Sequence, residues 1–230
     1  MNAVPTVAFD LETTGVDPFS DVPVSFAFAW RDDAGPIAAD TGLVNPGRPI
    51  PAGATRVHGI TDAAVADAPG LATAVPVLAD RLEAIWHEGG VVVGMNVAYD
   101  LTMVDALLGR LGRARLGERG VGAVADVLVI DRHVDRYRRG PRTLVDLCAH
   151  YAVELDGAHS AAGDAAATLE LYERLGTRFP ELAASSPERL TATLAAWHRE
   201  WLTDFSAYLE RRGEPPVAPG RYEWPLHAAP

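Results

Sequence analysis

The four residues Val91-Val92-Val93-Gly94 constrain the fold more tightly than any other stretch of the 230-residue chain. An unbroken apolar run this short reads as a central strand covered on both faces. A helical pattern starts directly behind it, with Asn96 as its cap and Leu101, Val104, Leu107 and Leu108 turned inward. Strand followed at once by helix is the building unit of an open α/β sheet. The length suits one substantial core with a helical extension.

Other elements arrange themselves around that unit. Residues 4–10 and 22–30 read as strands, and the turn Asp32-Asp33-Ala34-Gly35 leads into a short strand near 36–40, which gives a β-meander. Pro23 fits a strand start. Residues 45–56 are rich in Pro and Gly and read as a loop, and 58–70 as a short helix or turn closed by Pro69 and Gly70. A helix over roughly 72–88 turns Val75, Leu78, Leu82, Ile85 and Trp86 inward, with Pro76 able to displace its start by a turn. A weak strand near 123–130 and helices at 142–151 and 160–175 follow. Ser186-Pro187-Glu188 then starts a long helix over 185–212 by cap, N1 proline and first-turn acid. Its Leu190, Leu194, Trp197, Trp201, Phe205 and Tyr208 form a stripe that requires burial, on the parent domain by our reading. Residues 213–230 form a Pro-rich tail with Tyr222 and Trp224 as anchors. The chain thus divides at about 1–176 and 177–230.

Composition removes several function classes. The single cysteine, Cys148, cannot form an internal disulfide and reads as a buried thiol in a reducing compartment. Neither a secretion signal nor an apolar run of membrane-spanning length is visible, so the expectation is a cytoplasmic protein without a membrane partner. The formal charge of −11 argues against a nucleic-acid binder, yet it is unevenly spread. Residues 110–142 hold nine arginines against four acids, a local charge of +5 in a chain whose remainder is −16. All twenty basic residues are arginines. The segment reads as a phosphate track or, equally, as a solvated helical surface.

Three separated stretches carry the chemistry. In VAFDLETTG (7–15) an apolar strand ends in Asp10 and Glu12, whose i, i+2 spacing puts both carboxylates on one face. Like charges so placed repel each other unless a cation is shared between them. In GMNVAYD (94–100), Asp100 occupies the first turn of the helix behind the central strand. In HSAAGDAAAT (159–168), His159 precedes a helix that carries Asp164. Each alone also fits surface acids, a helix cap or a first-turn acid. Together they match phosphodiester hydrolysis, for which two divalent ions about 4 Å apart activate water and stabilise charge on attacking and leaving oxygens. Magnesium or manganese prefers such carboxylate oxygens, which leaves His159 free as a general base.

The trio FDLETTG, GMNVAYD and HSAAGDA resembles the three motifs of the DEDDh 3′–5′ exonucleases. These are the DnaQ-like family that includes the proofreading epsilon subunit of bacterial DNA polymerase III. The HGIT stretch at 58–61 and the segment starting at Asp126 resemble the family's intermediate landmarks, and the likeness runs from about 5 to 176. It implies a ribonuclease-H-like α/β fold: a mixed five-stranded sheet flanked by helices, its first three strands antiparallel. It further implies that Asp10, Glu12, Asp100 and Asp164 hold two Mg²⁺ or Mn²⁺ ions, with His159 as base. The His-x4-Asp spacing fits the histidine branch of the family. Thr13 would lie beside the terminal nucleotide, the His58 loop would shape its pocket, and Leu11 and Asn96 would complete the substrate-binding set. The expected activity is metal-dependent 3′–5′ hydrolysis of single-stranded DNA to nucleoside 5′-monophosphates, in proofreading or repair. The alternatives are an exoribonuclease trimming short RNA, and an interaction subunit joined to a DNA polymerase or repair assembly through the 185–212 helix.

Overall fold

The computed structural model describes residues 5–32, 35–155 and 159–229. Val4 of the first expected strand and Asp33-Ala34 of the expected turn lie outside the described residues. Five strands form one sheet: β1 (Thr6–Thr13), β2 (Pro23–Arg31), β3 (Ile37–Leu43), β4 (Val91–Gly94) and β5 (Ala123–Asp126). Their order is β3-β2-β1-β4-β5, with β1, β2 and β3 antiparallel and β4 and β5 parallel to β1. This is the mixed five-stranded sheet that the motif resemblance implies.

Alternation along β1 assigns the two faces. Phe9 and Leu11 join Phe28, Val92 and Val124 beneath α3 (Leu71–His87) and α4 (Val97–Arg110). Ala8 turns the other way and packs with Ala27 and Ala29 against Ala161, Ala165 and Leu169 of α8 (Ala161–Arg178). Alanines on both sides let that helix lie close to the sheet, so the alanine-rich 161–167 stretch supplies more than helix propensity. β4 is buried throughout, with Val92 in one core and Val91 and Val93 in the other. A side chain at Gly94 would meet the Cβ of Val97 at 2.5 Å, so only glycine permits this tight passage from strand to helix.

The structure corrects several local expectations. Within the presumed loop 45–56, residues from Ala52 form α1 (Ala52–His58), a short helix with no buried residue, and α2 (Asp62–Val65) follows. Its Pro51 precedes the first helical position, where a missing N–H costs nothing. Asn96 does not cap α4 with its side chain: its φ is 62° and it makes no capping bond. The carboxylate of Asp126 does so from the neighbouring strand, accepting from Asn96 N (3.1 Å) and Val97 N (3.0 Å). It also accepts from Leu128 N (2.9 Å) and Val129 N (3.3 Å), which makes it the cap of α6 (Val127–Val134) as well. That helix replaces the second half of the strand expected at 123–130.

The remaining helices are α5 (Leu116–Arg119), α7 (Leu144–Tyr151), α9 (Pro180–Ala183) and α10 (Pro187–Arg211). Leu190 and Leu194 of α10 share the core of β4, β5, α7 and α8. The Thr191 hydroxyl sits on the outer strand, accepting from Val124 N (2.9 Å) and donating to Val124 O (3.3 Å). Further along, the stripe read from the sequence is not the buried face. His198, Leu202 and Ser206 are buried, while Phe205 and Tyr208 are 36% and 44% exposed. The inner face is met by the tail: Val217 N donates to Ser206 Oγ (3.1 Å) and His198 Nε2 bonds Arg221 O (2.8 Å), while His227 N ties the tail to Thr102 Oγ1 of α4 (2.9 Å). The outward aromatics cover one another instead. Trp201 stacks on Phe205 and lies under the Arg132 guanidinium at 3.6 Å, and Trp197 stacks on His133.

The basic segment is not a phosphate track along its length. Arg115, Arg119 and Arg136 face carboxylates of Asp105, Asp80 and Glu200, while Arg138 and Arg142 converge on Asp131, which is fully buried and also receives Tyr151 Oη at 2.8 Å. Among the described residues, no helix is long and apolar enough to cross a membrane.

Candidate active site

The even positions of β1 that follow Ala8 are Asp10 and Glu12, so both carboxylates emerge on the α8 face, where the small residues end. Asp164 descends onto them from the first turn of α8. Oxygens of Asp10, Glu12 and Asp164 all lie within 4.8 Å of one another. Asp100, buried in the first turn of α4, stands outside this trio but close enough to Asp10 to act on its charge.

Electrostatics records the crowding. Burial raises the Asp10 pKa well above its ordinary value, and Asp100, Asp164 and Glu12 add to the shift. Glu12 is raised to about 7, by burial first and by Asp164 second. Burial also raises Asp100, helped by the charges of Asp126 and Glu12 and opposed by backbone hydrogen bonding, including that from Leu11. Asp164 is raised by burial, while the backbone N–H and the charge of His159 hold it down. An all-oxygen donor set this close, whose members resist losing their protons, is chemically matched to a hard divalent cation.

His159 is exposed, and its backbone N donates to Asp164 Oδ1 at 3.3 Å. Its φ of 65° is unusual for a residue other than glycine, a local distortion of the kind found around functional groups. Thr13 follows a bulge after Glu12, and its hydroxyl donates to Gly15 O at 2.7 Å. His58 Nδ1 accepts from Ile60 N at 3.0 Å, which orients the ring. Burial lowers its pKa, partly offset by the Thr13 backbone, and among the described residues its buried Nε2 has no partner of hydrogen-bond geometry. The Leu11 side chain turns into the α3–α4 core, so only its backbone reaches the site. Asn96 contributes its backbone N–H to Asp126 at the same end of the sheet.

A cavity of about 450 Å³ adjoins the acids, lined by Ser25, Thr41, Leu43, His58, Ile60 and Ser160. Ser25 is the cross-strand neighbour of Glu12, and Ser160 is the cap of the helix that bears Asp164. Sequence reasoning overlooked Tyr99. Its hydroxyl donates to Gly15 O at 2.5 Å and lies 3.2 Å from Thr13 Oγ1, bracing the turn after Glu12. The signal was its place just before Asp100, on the neighbouring face of the same helical turn.

The sequence matches the RNase_T family, described as exonuclease, over residues 7–172. It is 35% identical over 176 residues to the DNA polymerase III subunit epsilon-like protein of Rhodobacter capsulatus, covering 74% of this chain and 23% of that protein. It is 25% identical over 188 residues to the PolC-type DNA polymerase III of Caldanaerobacter subterraneus, covering 82% of this chain and 13% of that one. The chain thus spans less than a quarter of either relative. Among solved structures, Escherichia coli exonuclease I in complex with a dA16 oligonucleotide superposes with a TM-score of 0.64. That match has 21% identity and covers 86% of this chain and 44% of that one.

Proposed function

The chain belongs to the RNase_T exonuclease family, and from that membership we propose that it removes nucleotides from the 3′ end of single-stranded nucleic acid. DNA is favoured over RNA, and the products are nucleoside 5′-monophosphates. The observation that carries this reading is the convergence of Asp10, Glu12 and Asp164, with Asp100 pressing on Asp10. These four acids would hold two divalent cations, Mg²⁺ or Mn²⁺. Bound there, such cations supply an activated water and neutralise charge on the phosphoryl and departing 3′ oxygens.

The protein's own groups do the rest. His159 accepts the proton of the attacking water; its backbone bond to Asp164 anchors the residue beside the acid cluster, and its charge is felt by Asp164. The adjoining cavity of about 450 Å³ takes the terminal nucleoside, between the His58 loop and the start of α8. Thr13, held by its bond to Gly15, presents its backbone to the terminal sugar. Relatives named as DNA polymerase III components support work beside a polymerase, in proofreading or repair, and hence in the cytoplasm.

The direct test uses 5′-labelled DNA and RNA strands of one sequence, incubated with Mg²⁺, Mn²⁺ or chelator. We expect a ladder of 3′-shortened products only with metal and faster on DNA. Hydrolysis in excess chelator, or undiminished hydrolysis by Asp10→Ala, would overturn the assignment. Faster shortening of the RNA would replace DNA with RNA as the substrate.

A further inference from the structure

Two guanidinium groups meet over the loop that follows β1. The acids of that loop are largely engaged by its own donors. Asp21 accepts from Thr14 Oγ1 (2.8 Å) and from Asp17 N (3.0 Å). Asp17 accepts from Phe19 N (3.1 Å) and Ser20 Oγ (2.6 Å). Arg48 donates to Thr14 Oγ1 (2.9 Å) and Ser20 O (2.8 Å), with Asp21 Oδ1 farther off at 3.5 Å. Arg110, at the last position of α4, donates to the very next carbonyl, Asp21 O, at 3.3 Å. Consecutive carbonyls therefore hold two cations side by side. Arg48 accordingly pulls the Arg110 pKa down, an effect second to burial and only partly offset by Asp17.

Arg48 meets one carboxylate, Asp21, at 3.5 Å, while Arg110 meets only a carbonyl among the described residues, unlike five other arginines of the basic segment. Arg115, Arg119, Arg136, Arg138 and Arg142 each reach a carboxylate. Arg110 is exposed and, among the described residues, engages one carbonyl through a long bond, although a guanidinium carries five N–H donors. The side chain of Arg48 is 43% exposed. Asp21 and Asp17 balance the charge of the two cations, but the guanidinium groups keep N–H donors turned to solvent, and these can grip a phosphate oxygen.

The position of the pair defines the ligand. Arg110 and Tyr99 are eleven residues apart and share one face of α4, and Tyr99 bonds to Gly15 of the same loop. Along the helix axis they are separated by about 16 Å. That distance is too long for the bond being cut, and it is the distance by which α4 leads away from the Thr13–Tyr99 contact. We propose that Arg48 and Arg110 bind a backbone phosphate of the strand upstream of the scissile bond, so that the enzyme prefers oligomers to the shortest substrates. This rests on the exonuclease reading above.

The experiment compares wild type, Arg110→Gln and Arg110→Lys on two substrates with Mg²⁺. A twelve-nucleotide oligothymidylate offers upstream phosphates, whereas the p-nitrophenyl ester of thymidine 5′-monophosphate has none. Arg110→Gln should raise KM for the oligomer about threefold, with a salt dependence shallower by about 0.7 in log–log slope. Kinetics on the ester should not change, and Arg110→Lys should restore the slope. An equal loss on both substrates, or an unchanged slope, overturns the proposal and leaves Arg110 as a clamp on the loop. If wild type cleaves neither substrate, the exonuclease reading fails instead. Salt-dependent binding of fluorescein-labelled oligomer then still decides the arginine pair, because it needs no turnover: equal slopes for wild type and Arg110→Gln reject it.

Discussion

Replacing Glu12 by glutamine removes a charge that the folded protein holds at a cost. Its pKa rises from the ordinary 4.5 to about 7, through burial and the neighbouring Asp164. A raised carboxyl binds its proton more tightly when folded, so below about pH 4.5 both states are protonated and the cost is absent. As pH climbs through 7 the unfolded chain has long been ionised, and the folded state carries the full penalty. The shift corresponds to roughly 3.4 kcal/mol, which partial exposure of Glu12 reduces to about 1–2 kcal/mol. For a chain this long each kcal/mol moves the melting temperature by about 2–4 °C, so metal-free Glu12→Gln should melt about 2–8 °C above wild type at pH 8. At pH 4.5 the difference should vanish. With Mn²⁺ at pH 8 the order should reverse, because wild type gains binding energy that the variant partly loses. Calorimetry in chelator at both pH values provides the measurement. A gap of equal size at pH 4.5 and pH 8, or a variant that melts lower in chelator at pH 8, would refute the reasoning.

His159→Ala should slow hydrolysis by about 10²–10⁴-fold while calorimetric metal affinity stays near wild type; a collapse of metal binding would make His159 a ligand. Leu194→Ala, at a fully buried position, should cost about 2–5 kcal/mol in denaturant unfolding, whereas Phe205→Ala, on the partly exposed side of the same helix, should cost under about 1 kcal/mol. Burial lowers the His227 pKa to about 4, so the folded state refuses a proton that the unfolded chain accepts below its ordinary value of 6.5. The resulting stability, on the order of 2–3 kcal/mol, is present above pH 6.5 and is lost as pH falls toward 4. Melting curves across that range should therefore be flatter for His227→Gln than for wild type.

The legible parts of the sequence were those governed by local rules. β1, β2 and β4 announced themselves by apolar runs, and Ser186-Pro187-Glu188 marked the start of α10. Asp10, Glu12 and Asp164 could be proposed as partners because strand alternation and helix starts fix where such side chains emerge. Long-range effects were not legible. Asp126 caps α4 because the parallel register sets it opposite Gly94, and nothing near Asn96 reports that pairing. The misjudged stripe on α10 has a similar origin. Helical spacing locates an apolar face, but the tail reaching Ser206 and the Arg132 guanidinium over Trp201 determine which face is covered. Short α1 was hidden by Pro51 and two glycines, since composition alone does not separate a surface helix from a loop.

The Thr191 hydroxyl on Val124 has a consequence for how copies of this chain can meet. A sheet grows when a foreign backbone pairs with a free margin, and on β5 the Thr191 hydroxyl accepts from Val124 N and shares its one proton between Pro187 O (3.0 Å) and Val124 O (3.3 Å). The indole of Trp86 takes Ala123 O of the same strand at 3.1 Å. Ribbon-like polymerisation through β5 is thereby blocked by side chains rather than by backbone. The opposite margin, β3, keeps an outward-facing strand with Asp40, Thr41 and Gly42 along it. Strand exchange, templated aggregation or β-augmentation by another polypeptide therefore has β3 as its open route. Thr191→Val would surrender the hydroxyl's bonds to Val124 while α10 stays packed along β5 through Leu190 and Leu194, so that margin would lose pairing partners without losing its cover.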